Sequence, residues 1–281
     1  MADDCELYFS GGPAHLFIYP TRSMIHYIIK DRPTRLFIIL GGFFIANAVI
    51  AEVIGVKIFS LEETFGFSKV SFSLFGQQGL SFDLSVGVLP WPAVFILTDI
   101  INEYYGVKGV RFLSFLTAGF ICMAFVLFYL SIHTAPASWW IGSQQTKGVP
   151  DMQAAFTQIL GQGMNIILAS LTAFVVGQIA DATVFKAIKR ATGEKHIWMR
   201  ATLSTLVSQF IDTIVVSYLY LYYSQGFPFA RVTGIALVGY TYKFVVAILA
   251  TPVIYLVHGW IERYLGHAKA AEMKEAAMRK G

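Results

Sequence analysis

The sequence predicts an all-α integral membrane protein: a six-transmembrane-helix bundle with both termini cytoplasmic and a small extracytoplasmic β-hairpin. Three observations predict it. Charged residues make up only 14% of the 281-residue chain, against about a quarter in an ordinary soluble domain. Mean hydropathy is +0.61, and several apolar runs reach the ~20 residues that a spanning helix needs. Lys and Arg are strongly segregated between alternate connecting segments, the usual signature of a fixed membrane orientation.

Six runs qualify as spans: 34–59, 86–106, 110–132, 163–188, 201–223 and 232–260. With the N-terminus inside, the inner segments collect sixteen Lys and Arg, whereas the outer ones hold only Lys69, Lys147 and Arg231. This bias places both termini on the cytoplasmic side. The chain therefore divides into a cytoplasmic arm (1–33), a six-helix transmembrane domain (34–265) and a cytoplasmic tail (266–281). The arm opens with Asp3, Asp4 and Glu6, unlike the basic start of a signal peptide. The tail, HAKAAEMKEAAMRKG, reads as a solvated extension of the last helix. Cys5 and Cys122 lie in unlike settings, so no disulfide framework is expected.

Two outer connections are long. In the first, 60–85, Val70, Phe72 and Leu74 alternate before a Gly-containing turn, and Phe82, Leu84 and Val86 alternate after it, a hairpin pattern. The second, 133–162, carries Trp139 and Trp140, an aromatic pair suited to the membrane interface.

Polar residues inside the apolar runs are the candidates for function. A charge at the bilayer centre costs about 2.5–3.5 kcal/mol on insertion scales, so it faces a cavity or a partner. In LTDIINEYYG, Asp99, Asn102 and Glu103 share one helical face at spacings of three and four. A Gln-x-x-Asp pattern occurs twice, as Gln178 with Asp181 and Gln209 with Asp212, each placing an amide beside a carboxylate. Ala169, Ala173 and Gly177 lead to Asp181, and Ser204 and Ser208 lead to Asp212, always four apart. Small residues at that spacing let membrane helices approach closely, so both acids point into the bundle.

Lys243 lies well inside its run, in ALVGYTYKFVVAILATP, too deep for its head group to reach water by snorkelling. It calls for an acid, Asp212 or Asp181. Lys57 sits nearer a helix end, where snorkelling suffices. Asn47 and Glu52, in IANAVIAEVIG, can also face inward. The competing reading for all these acids is structural, pairing with Lys57, Lys243, Arg111 or Arg200 merely to hold helices together. Pro90 and Pro92 flank Trp91 and mark either a broken helix lining a cavity or an ordinary helix start.

Several functional classes are excluded or disfavoured. There is no G-x-x-x-x-G-K-[ST] phosphate loop, so the chain carries no ATPase of its own. No H-E-x-x-H and no close His/Cys cluster is present, so neither metal nor cofactor is expected. An intramembrane enzyme lacks a visible nucleophile–base pair. The net charge of +4 belongs to membrane orientation and does not imply nucleic acid as a partner.

PWPAVFILTDIINEYYGVKGVR, GQIADATVFKAIKRATG, HIWMRATLSTLVSQFIDT and YKFVVAILATPVIY occur in this order, and together they resemble the bacterial queuosine precursor transporters, a family once grouped under vitamin uptake. The resemblance covers about 34–265. It implies a six-helix, multi-pass protein of the bacterial inner membrane, not an enzyme, that imports 7-cyano- and 7-aminomethyl-7-deazaguanine for tRNA modification. Asp99, Asn102, Glu103, Gln178, Asp181, Arg200, Gln209, Asp212 and Lys243 match the family pattern. The proline-rich Pro-Trp-Pro, the N-terminal arm and the long outer loops depart from it.

The residue chemistry agrees. A guanine-type edge offers two N–H donors that one carboxylate can accept together, and a Gln amide both donates and accepts. Trp91 and Phe95, the latter four residues before Asp99, can stack on a flat ring. The expected substrate-binding set is thus Asp99, Asn102, Glu103, Gln178, Asp181, Gln209, Asp212, Trp91, Phe95 and Asn47, with Lys243, Arg200 and Lys57 for coupling or ion pairing. The expected partners are the deazapurine and the lipid bilayer, and a homo-oligomer is left open. The alternative is the membrane substrate-binding subunit of a multi-component, ATP-driven uptake system for a purine- or vitamin-like solute.

Overall fold

The computed structural model describes residues 30–74, 76–192 and 197–280; within these, some side chains in 162–205, that of Thr251 and those of 278–280 are excepted. The expected N-terminal arm therefore lies, up to residue 29, outside the described residues. Helix α1 spans Arg32–Ile54. Asp31 caps it by accepting the Thr34 N–H at 2.9 Å, with a proline in the first turn, the arrangement that suits a helix N-terminus. Gly55 ends it. The predicted run continued to residue 59 because Ile58 and Phe59 are apolar, but they belong to strand β1, Ile58–Ser60.

The first long loop holds a four-residue helix, α2 (Leu61–Thr64), and strands β2 (Phe72–Leu74), β3 (Gln77–Leu80) and β4 (Asp83–Ser85). The hairpin is present with a different pairing from the expected one. β2 pairs with β3, while β4 pairs antiparallel with β1, setting Phe59 opposite Leu84. Glu62 fastens α2 to the turn before β4, accepting from the Phe82 N–H at 3.1 Å and from the Ser60 hydroxyl at 3.1 Å.

Helix α3, Trp91–His133, is broken at Gly106, whose φ of 71° and ψ of 179° are not helical. Only glycine adopts that conformation freely. Contacts with α1 trace the path of the chain through this break. Gly87, just before α3, abuts Gly55 and Ala51 at the end of α1. Tyr105 then donates to the Pro33 carbonyl at the start of α1 (2.7 Å). Beyond Gly106 the order reverses: Phe112 lies near Phe37, Leu113 against Gly41, and Ile121 and Phe125 join Ala48 and Val49. The chain thus runs down α1 and back up it, and the expected spans 86–106 and 110–132 are the two arms of this turn.

A short helix, α4 (Ser138–Ile141), holds Trp139 and Trp140 before the long α5 (Met152–Thr192). Helix α6 (Ile197–Ser217) passes into a π-helical turn, Tyr218–Ser224. Helix α7 (Phe229–Leu265) contains Pro252. Gly266, with φ of 85°, separates it from α8 (His267–Lys280). The tail does not extend α7 into solvent. It folds back so that Ala270 is buried in a cluster with Leu36, Tyr104 and Leu265.

Four stretches among the described residues are long and apolar enough to cross a membrane: Arg32–Ile54, Val86–His133, Met152–Phe174 and Phe229–Ala250. Phe43, Ile50, Phe115, Leu127, Leu168 and Leu249 are exposed along them. An exposed apolar belt on this scale is a surface for lipid or for another protein.

Candidate substrate site between the helices

Among the described residues, the long helices bring one ion pair into the interior. Lys243 of α7 donates to Asp212 Oδ2 of α6 at 3.0 Å and to Gln209 Oε1 at 3.4 Å. Residues 209 and 212 share a helical face, so one ammonium reaches both. The side chains of Lys243 and Asp212 are only 10% and 18% exposed. Leaving either charge alone in such a setting costs about 3–5 kcal/mol. The Lys243 ammonium also lies 5.4 Å from the centre of the Trp91 ring, within cation–π range. Trp91 and Phe95 have ring centres 5.7 Å apart, giving the pair an aromatic wall from α3. Pro90 stands at the N-cap of α3 and Pro92 in its first turn, so the proline pair is a helix start that sets Trp91 in place.

Helix α5 closes the site on another side. Ser170, Ala173 and Gly177 fall at spacings of three and four on one face. Gly177 faces α6: a Cβ there would sit 3.7 Å from the Asp212 Cβ, in ordinary van der Waals contact. Seven residues earlier, Ser170 donates to Glu52 Oε1 of α1 at 2.6 Å. Glu52 and Asp212 are within electrostatic reach of each other. Five helices thus contribute an ammonium, two carboxylates, an amide, a hydroxyl and an aromatic wall, enough to bind a flat heterocycle carrying both donors and acceptors.

The other expected residues are dispersed. Asp99 and Asn102 are half-buried and continue the Trp91–Phe95 face of α3 toward Gly106. Glu103 turns away: Lys274 of α8 lies 3.8 Å from its carboxylate and 2.7 Å from that of Glu262. Asn47 donates to the Phe43 carbonyl of its own helix at 2.8 Å. Lys57 is exposed beyond the end of α1. The side chains of Gln178, Asp181 and Arg200 lie outside the described residues. Sequence reasoning gave Glu52 little weight and passed over Ser170. The available signal was the Ser170–Ala173–Gly177 stripe, which predicts a close helix–helix face.

A second polar cluster was also missed. Lys274 sits 5.3 Å from the Tyr104 ring centre, and the Tyr104 hydroxyl lies 3.2 Å from His258 Nδ1. The Lys274 ammonium holds the Glu262 carboxyl below the ordinary carboxylate range. Close beside this cluster, a Cβ on Gly106 would meet the Ala277 carbonyl at 3.2 Å, so α8 seals the break in α3 against a residue without a side chain.

The family model described as "Putative vitamin uptake transporter" matches residues 85–257, which hold every member of the site except Glu52. Among curated proteins, the chain is 30% identical over 181 residues to the "Probable queuosine precursor transporter" of Bacillus subtilis (strain 168), covering 61% of this chain and 70% of that one. It is 26% identical over 171 residues to the "Queuosine precursor transporter" of Escherichia coli (strain K12), covering 60% and 70%. No solved structure gives a significant match. On the extent of the family match, the chain belongs to the vitamin uptake transporter family.

Proposed function

We propose that this protein imports deazaguanine precursors of queuosine, 7-cyano- or 7-aminomethyl-7-deazaguanine, across the bacterial cytoplasmic membrane. The observation that carries the reading is the Gln209–Asp212–Lys243 group against Trp91. Asp212 accepts from the N1 and N2 donors of the base, Gln209 meets its O6, and the aromatic wall covers its face. Lys243 neutralises Asp212 while the site is empty and yields part of it to the base on binding. The names of the two curated relatives support the choice of substrate.

The same proposal includes six spans with both termini inside. It rests on the segregation of Lys and Arg and on the double passage of α3 along α1. A cysteine introduced at Gly142 is expected to react with an impermeant reagent from outside, and one at Lys269 only after permeabilisation; the reverse pattern sinks the topology.

Uptake of labelled 7-cyano-7-deazaguanine by cells that cannot make it tests the function, with and without this gene. Import is expected only with the gene. Purified protein in liposomes should also accumulate the compound by itself. Uptake in cells without uptake in liposomes identifies the chain instead as the binding subunit of a larger ATP-driven system.

A further inference from the structure

We infer that Glu52 is the specificity-determining residue of this site, taking the ammonium of a 7-aminomethyl substituent and favouring a cationic substrate over a neutral one. The inference rests on the deazaguanine reading above. Its ground is the layout of charge on α5. Glu52 docks on that helix at Ser170 and Asp212 at Gly177, seven residues apart on one face, or about 10 Å along the axis. A two-ring heterocycle with its pairing edge at Asp212 and a one-carbon arm at the opposite end is the kind of ligand that bridges such a gap.

Among the described side chains, the charges in this layer do not balance. Two carboxylates, Glu52 and Asp212, face one ammonium among the described side chains, and Lys243 spends it on Asp212 and Gln209. Among the described residues, Glu52 receives a single hydrogen bond, from the neutral Ser170 hydroxyl to Oε1. Its other oxygen, Oε2, has no hydrogen bond among the described residues. A carboxylate held between helices with one neutral donor is under-compensated, and a bound cation supplies both the missing charge and a donor for Oε2. The aminomethyl arm is protonated at neutral pH, with the charge on a nitrogen bearing three donors. The cyano group is uncharged and offers Glu52 an acceptor facing an acceptor.

Equilibrium binding to the purified full chain in lipid nanodiscs tests this with three probes: 7-aminomethyl-, 7-hydroxymethyl- and 7-cyano-7-deazaguanine. The hydroxymethyl compound matches the aminomethyl arm in size without its charge. The wild type is expected to bind the aminomethyl compound at least tenfold more tightly than either neutral one. Glu52→Gln, whose amide oxygen still accepts from Ser170, is expected to remove that preference, so that the aminomethyl compound binds within about threefold of the hydroxymethyl one. A wild type indifferent to the arm's charge overturns the inference without any variant, so poor folding of Glu52→Gln cannot shelter it. A preference that survives in a folded Glu52→Gln protein overturns it too. Failure of the parent reading is separate: none of the three compounds then binds the wild type.

Discussion

Two polar clusters in this molecule each centre on one lysine paired with an acid, and they differ in almost everything else. At mid-helix, Lys243 meets Asp212 and Gln209 with side chains 10% and 18% exposed at the ion pair. At the helix ends, Lys274 meets Glu262 and Glu103 with side chains between 27% and 32% exposed. The first binds α6 to α7 under an aromatic wall from α3. The second straps α8 across the break at Gly106. Water screens the helix-end cluster and makes its charges cheap to keep and cheap to lose. The mid-helix pair has little water, so each charge depends on the other or on a ligand able to replace it. That dependence is what a substrate site in a membrane requires, and under the proposed function binding falls to the first cluster and structure to the second.

Mutations that break this contrast should differ by a predictable amount. The largest effect is expected at the mid-helix pair. Lys243→Met leaves Asp212 buried without its cation and should destabilise the protein by about 3–5 kcal/mol, read as a lower melting temperature in detergent. Adding Asp212→Asn to it should recover much of that stability and none of the uptake. Recovery of uptake in the double variant would mean that the pair is structural.

The break in α3 comes next. Gly106→Ala forces a side chain into a conformation reserved for glycine and against the Ala277 carbonyl 3.2 Å away. A loss of about 1–3 kcal/mol is expected, together with faster proteolysis of α8. Unchanged protection of α8 would contradict the packing described here.

Smaller still is the helix-end ion pair. Lys274→Ala should cost no more than about 1 kcal/mol, and Glu103→Gln should leave substrate affinity within about twofold of the wild type, unlike Gln209→Ala, for which a tenfold loss is expected. Equal losses for Glu103→Gln and Gln209→Ala would erase the distinction between the clusters.

The smallest effect is one of pH. Glu262 has a lowered carboxyl value in the folded protein because Lys274 hydrogen-bonds its charged form. Its contribution is therefore fully present above the ordinary value of 4.5 and is lost as pH falls through the lower folded value. Melting temperatures of the wild type and Glu262→Gln should differ slightly at pH 7 and converge in acid. A gap that widens on acidification would reverse the sign assigned to this group.

What the sequence revealed depended on whether physics confined the answer to one helix. Lys243 and the Gln209–Asp212 pair were legible because a charge deep in an apolar run must find a partner, and few partners exist. Glu103 looked equivalent, four residues from Asp99 on the same face, but its partner comes from α8, whose return across the bundle leaves no periodic trace. The buried Ala270 is equally silent, since alanine suits a solvated helix just as well. In the first loop, the alternation around Phe72 and Leu84 identified strands. It could not say that β4 pairs with β1, because period-two patterns fix faces and not neighbours. Ile58 and Phe59 lengthened the apparent first span for a related reason: a short apolar run has no length signature of its own. Ser170 went unnoticed because a serine in a membrane helix usually bonds its own backbone, and only the fold shows it turned toward Glu52.

Equilibrium binding of labelled 7-cyano-7-deazaguanine to purified wild-type and Asp212→Asn protein in nanodiscs tests the central claim most directly. The compound avoids any contribution from a charged arm, and the substitution preserves the shape of the side chain. Saturable binding by the wild type and at least a tenfold weaker affinity in Asp212→Asn are expected, with both proteins folded by their melting curves. Wild-type affinity in a folded Asp212→Asn protein would contradict that claim.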